Sequence, residues 1–163
     1  SKFITYHRLT TQHFELMIKY TYTVLLLFTS LFCTAKTIQF PITSPLMKYI
    51  LENSKLKSDK VVGNIISSQQ NLINIGTAQI VTIPGEALPN IGYYLKRKMH
   101  TKQAFLFGLT NDAFGYMLTK EDFQSFKRYD YVSKTSLGEM TGEILVNESL
   151  QLVNECPAAS DFK

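Results

Sequence analysis

Leu72-Ile73-Asn74-Ile75-Gly76-Thr77-Ala78-Gln79-Ile80-Val81-Thr82-Ile83 is the clearest β signal in the chain. Two runs rich in β-branched residues flank Gly76-Thr77, a pair suited to a two-residue hairpin connection. Pro84-Gly85 stops the second run, and Glu86 stands at the junction before a helix expected from Pro89 to about Met99. Gln103 to Leu109 reads as another buried strand, and Thr110 to Gly115 as a turn carrying Asn-Asp and a glycine. Thr119 to Phe123 starts a short helical turn. Thr141 to Val153 reads as a helix with Glu139 and Glu143 near its start, where the helix dipole favours acids. Strands alternating with helices make the class α/β, a mixed sheet with flanking helices.

Before the hairpin, Lys55 to Asn71 is polar and reads as a loop, although Val61, Val62, Ile65 and Ile66 would suit a strand. Ser44-Pro45 opens a helix, serine as N-cap and proline at the first helical position. Leu46, Tyr49, Ile50 and Leu51 give that helix one apolar face. Ile38 to Ile42 alternates and reads as a short strand, with Pro41 marking an edge or a strand end. From Tyr20 to Ala35 there is no charge, and Val24-Leu25-Leu26-Leu27-Phe28-Thr29-Ser30-Leu31-Phe32 is the core of the run. Met17-Ile18-Lys19 before it and Cys33-Thr34-Ala35 after it match a secretory signal peptide cleaved after Ala35. A buried helix of a larger domain is the competing reading. A membrane anchor is the weaker one, because a spanning helix needs about 20 apolar residues. The chain therefore divides into an N-terminal extension (1–16), the apolar segment (17–35) and a folded remainder (36–163). A cleaved leader would make the protein secreted or periplasmic.

The 163 residues suffice for one domain with a core, and 45% hydrophobic with 18% charged residues is ordinary for a folded protein. A net charge of +4 permits contact with anionic surfaces. No nucleic-acid-binding signature accompanies it, so nucleic acid is not an expected partner. With only Cys33 and Cys156, a disulfide framework and cysteine metal sites are not expected.

Two segments end in polar residues at the lip of a strand: Thr82-Ile83-Pro84-Gly85-Glu86, and Gly108-Leu109-Thr110-Asn111-Asp112-Ala113-Phe114-Gly115-Tyr116. In α/β sheets, ligands collect beyond strand ends. Glu86, held by a rigid Pro-Gly turn, suits a hard or borderline cation, and Tyr116 is a phenol able to ligate a metal once ionised. Alternatively, Glu86 merely fronts a helix and Tyr116 is a half-buried aromatic. Lys96-Arg97-Lys98, with His100 and Lys102, reads either as the cationic end of a helix or as a contact with an anionic membrane. His100 reads as a solvated loop residue. Asn147-Glu148-Ser149 fits a glycosylation sequon but falls on an expected helix.

Taken in order, Ile83-Pro84-Gly85-Glu86, Gly108-Leu109-x-Asn111, Tyr116, Glu121-Asp122-Phe123, Arg128-Tyr129-Asp130, Ser136-Leu137-Gly138 and the closing helix resemble the C-terminal part of the neutral/alkaline ceramidase catalytic domain. Ile38 to Leu46 is similar to the strand that precedes that part. The resemblance implies a zinc-dependent amidohydrolase cleaving ceramide or a related N-acyl lipid. Glu86 and Tyr116 would be metal ligands, and Tyr129 would polarise the scissile carbonyl. It also implies two further histidine ligands and a serine from an upstream catalytic portion. His7 and His13 do not match the family's histidine motifs, so this chain would need the missing portion or a second chain. Ser136-Leu137-Gly138-Glu139 stands where typical ceramidases carry Tyr-Gly-Pro, closer to shorter microbial relatives. The competing function is a non-catalytic exported module that keeps the ceramidase-like C-terminal portion for binding or structure. As part of a larger domain, the segment is expected to leave strand edges open and to associate when expressed alone.

Overall fold

The computed structural model describes residues 19–20, 31–53 and 60–159. The N-terminal extension, most of the apolar segment, His7 and His13 lie outside them. In chain order the elements are β1 (Leu31–Pro41), α1 (Pro45–Asn53), β2 (Val61–Val62), β3 (Ile65–Ile75), β4 (Ala78–Thr82), β5 (Glu86–Ala87), α2 (Pro89–Lys98), β6 (Gln103–Phe107), β7 (Tyr116–Met117), α3 (Asp130–Lys134) and α4 (Thr141–Glu155). A 3₁₀ turn over Lys127–Tyr129 leads into α3. The expected hairpin is present, β3 and β4 pairing antiparallel around Gly76-Thr77. β4 then crosses through α2 to β6, which pairs parallel to it, giving the order β1-β3-β4-β6 with β2 beside β3. The sheet is mixed and the class is α/β.

β1 is far longer than the short strand expected, and it pairs with the whole of β3 from Leu31↔Ile75 to Pro41↔Ile65. Leu31 to Ala35, read above as the end of a signal peptide or of a buried helix, are strand. Cleavage after Ala35 would remove five of the eleven register pairs of β1. Among the described residues no helix is long and apolar enough to cross a membrane.

The polar stretch 65–71 is likewise strand rather than loop. Alternate residues of β3 point inward, and its polar ones are matched there by partners. Ser68 donates to Asp112 Oδ2, and Asp112 also accepts from Lys60 Nζ at 2.6 Å. Gln70, fully buried, donates to Ser149 Oγ at 2.7 Å, and Asn74 donates to the Pro157 carbonyl at 2.9 Å. On the adjoining strand, Lys36 pairs with Glu148 Oε2 at 2.5 Å and donates to Gln151. The bonds of Lys36 and Gln70 fasten α4 across β1 and β3.

α4 and α2 cover one face of the sheet. Ile91 of α2 and Leu145 of α4 form the main core with Ile38, Phe40, Ile66 and Ile83 beneath them. Leu72, Val81, Met99, Leu152, Val153 and Cys156 form a second cluster. α1 begins as expected, Ser44 Oγ accepting from the Met47 N–H at 3.3 Å. Its apolar face differs: Leu46, Tyr49 and Ile50 are exposed, and Met47 and Leu51 pack toward the core. β6 is an edge strand rather than a buried one, with Phe105 and Phe107 exposed on the face opposite α2.

Cys33 and Cys156 are both free thiols, the first exposed and the second buried. Burial pushes the Cys156 thiol up, and Glu155 and then Cys33 add to the effect. The fold therefore holds a proton that the unfolded chain loses first. The stabilisation is complete below the unfolded thiol's pKa and is lost as pH rises through the folded one. At neutral pH a thiol reagent is expected to label Cys33 rapidly and Cys156 only on unfolding. A Cys156→Ala chain is expected to keep more of its stability in alkali. Equal labelling rates for the two thiols would contradict this assignment.

Candidate functional site

The two strand-lip segments singled out in the sequence are stitched together. Ile83 N–H donates to the Phe107 carbonyl at 2.8 Å, and Thr110 N–H returns to the Ile83 carbonyl at 3.0 Å. Leu109 N–H reaches the Gly85 carbonyl at 3.0 Å and Phe114 N–H the Pro84 carbonyl at 2.9 Å. Glu86 N–H donates to the Gly115 carbonyl at 2.9 Å, and Leu88 N–H to that of Met117 at 3.0 Å. The Pro-Gly-Glu turn is thus locked on both flanks by backbone groups that satisfy one another.

This lock explains the glycine. A Cβ on Gly85 would lie 2.6 Å from the Gly115 carbonyl oxygen and 2.6 Å from Met117 Cε. Only a residue without one lets the two segments approach this closely. The approach creates the short parallel pair β5–β7, whose register sets Glu86 beside Tyr116 and Ala87 beside Met117. Register partners on parallel strands share a face, about 4.8 Å apart. The carboxylate and the phenol named from sequence are therefore neighbours, Glu86 exposed and Tyr116 half-buried.

β7 also bridges to Ser136, and the Tyr116 N–H faces the Thr135 carbonyl at 3.4 Å. This places α3 against Tyr116, and the ring packed on Tyr116 is that of Tyr131, edge-on at 6.1 Å. Tyr131 was not singled out in the sequence. Its signal is the spacing Arg128-Tyr129-Asp130-Tyr131, in which a second phenol follows the motif tyrosine by two residues. Tyr129 ends the 3₁₀ turn and meets Phe126 edge-on at 5.7 Å, with the Arg128 guanidinium over both rings.

Beside Glu86 opens a cavity of about 410 Å³ between α2 and β6. Ile83, Leu88, Leu106 and Leu109 supply apolar wall, and Glu86 and Lys96 supply charge. Its size and mixed lining suit a small ligand with an apolar body and a polar end.

Two solved ceramidase structures are similar to part of the chain. The neutral ceramidase of Pseudomonas aeruginosa is similar over 59% of this chain and 17% of its own, at 16% sequence identity and a TM-score of 0.45. A ceramidase complexed with C2 is similar over 60% of this chain and 16% of its own, at 17% identity and a TM-score of 0.43. The chain thus spans about a sixth of the length of these neighbours. No family model and no curated protein matches it.

A zinc ion needs about four ligands. Glu86 and Tyr116 offer two oxygens, and among the described residues no group of three or more histidines, cysteines or acids is placed to hold a metal. His100 does not complete the set. Its backbone N–H donates to Gln79 Oε1 near the start of β4, whereas Glu86 follows the far end of that strand. Gln79 to Thr82 alone separates the two ends by about 10 Å. The described residues by themselves do not fit a closed zinc site.

Proposed function

We propose that this chain is part of a ceramidase-like amide hydrolase acting on ceramide or a related N-acyl lipid. In this reading Glu86 and Tyr116 are the oxygen-donor half of a zinc site. The remaining ligands come from an upstream portion of the protein or from a second chain. Tyr129 is proposed as the phenol that hydrogen-bonds to the scissile carbonyl, where a preorganised donor stabilises the developing oxyanion. The lipid amide enters with its apolar part along the Ile83–Leu106 wall. The observation that supports the reading is the register of β5 with β7, which sets Glu86 and Tyr116 side by side on a doubly hydrogen-bonded turn.

Zinc titration tests it. The full chain, dialysed against zinc, is expected to bind the ion weakly, as two oxygens allow, and Glu86→Ala and Tyr116→Phe are each expected to weaken that binding further. Zinc content in the wild type indistinguishable from that of both variants would sink the half-site.

A further inference from the structure

From Ala87 to Asn111 the chain has no carboxylate and four cations, Lys96, Arg97, Lys98 and Lys102. All four are exposed, and among the described residues no acid pairs with them. Tyr93, Lys96 and Arg97, at i, i+3 and i+4, share one side of α2. The buried Ile91 and Leu95 lie toward the core. Tyr93 is 66% exposed and Leu109 57%, and both rim the α2–β6 cavity together with Lys96. Cations in a last helical turn complement the dipole. That effect accounts neither for Lys102, beyond the helix, nor for an aromatic and an aliphatic side chain held in water beside Lys96.

We propose that this face of α2, with the connection that follows it, docks on an anionic lipid bilayer. The lysines and Arg97 meet lipid phosphates and carboxylates, their aliphatic stems lying along the interface. Tyr93 and Leu109 enter the headgroup layer, where a ring with a polar tip and an apolar neighbour are both stabilised. The cavity mouth then opens toward the lipid. The proposal rests on charge and exposure and is independent of any metal at Glu86, so it survives if the hydrolase reading fails.

Co-sedimentation of the full chain with phosphatidylcholine vesicles, with and without phosphatidylserine, tests it. Binding is expected only where phosphatidylserine is present, and it is expected to fall as salt screens the surface. Lys96→Glu with Arg97→Glu should reduce it about tenfold or more, since each cation near an anionic surface contributes roughly a fivefold factor. Tyr93→Ser with Leu109→Asn, which leaves the charge unchanged, should reduce it severalfold. Lys102→Glu repeats the test outside the helix, and Lys48→Glu with Lys134→Glu, on α1 and α3, matches the charge change elsewhere. Every substituted side chain is exposed, and matched melting curves separate binding from folding. Three outcomes would overturn the proposal. They are equal binding to neutral vesicles, an equal loss in the α1/α3 control, and displacement from vesicles by polyuridylate through the same residues, which would assign the face to nucleic acid.

Discussion

Gly115→Ala is expected to cost about 3 kcal/mol or more, in the range reserved for steric failure at a special backbone position. Two effects combine there. Gly115 has φ +83°, a left-handed conformation that costs an alanine roughly 1–2 kcal/mol. Its Cβ would also fall 2.1 Å from the Thr135 carbonyl oxygen. That neighbour is backbone, so no rotamer change relieves the overlap. Moving it would pull apart the contact of Thr135 with the Tyr116 N–H and the bridge from Tyr116 to Ser136. Gly63→Ala separates the two effects. Gly63 has φ +60°, and a Cβ there would meet nothing within 4 Å, so only the backbone penalty applies. Urea midpoints at constant m-value measure the difference. If both variants shift equally, the packing of β7 against the α3 segment is not tight, and the placement of Tyr116 loses its physical basis.

The sequence revealed the parts of this fold that local chemistry dictates. Gly76-Thr77 between β-branched runs, Ser44-Pro45 at a helix start and Pro84-Gly85 at a strand end each lie where turn and cap preferences put them. The first half of β3 was hidden because it has the composition of a loop. Ser68 and Gln70 become strand residues only through partners 44 and 79 positions away, a pairing that no local window contains. The first half of β1 was hidden for the opposite reason. Its first residues continue an uncharged apolar run, and what makes them strand is pairing with the far half of β3, from Leu31↔Ile75 to Ala35↔Asn71, which no local window contains. Glu86 and Tyr116 were legible as site candidates because each follows a strand end. Their adjacency was not, since it depends on how closely Gly85 lets two loops approach. Tyr131 was missed because α3 is five residues long and is positioned by β7 rather than by its own sequence.

Phe40→Ala is expected to cost about 3–5 kcal/mol, the usual loss for truncating a large aromatic in a packed core. Phe40 is fully buried in the middle of the main core, on an edge strand. Its ring meets Phe114 edge-on at 6.5 Å with the planes 80° apart. Phe114 stands one residue before Gly115 and donates its N–H to the Pro84 carbonyl. The contact therefore ties β1 to the turn carrying Glu86 and to the strand carrying Tyr116. A double-mutant cycle with Phe40→Leu and Phe114→Leu isolates the ring–ring contribution, expected at about 0.5–1.5 kcal/mol. The same contact gives the cycle a readout at the site. If the loop is held through Phe114, hydrogen exchange at the Glu86 and Leu88 amides should quicken in Phe114→Leu more than global destabilisation requires. Exchange that tracks global stability alone would mean that the backbone lock around Pro84-Gly85 holds the site without help from β1. The position of Glu86 would then depend on the close approach of Gly85 and Gly115 rather than on the core beneath it.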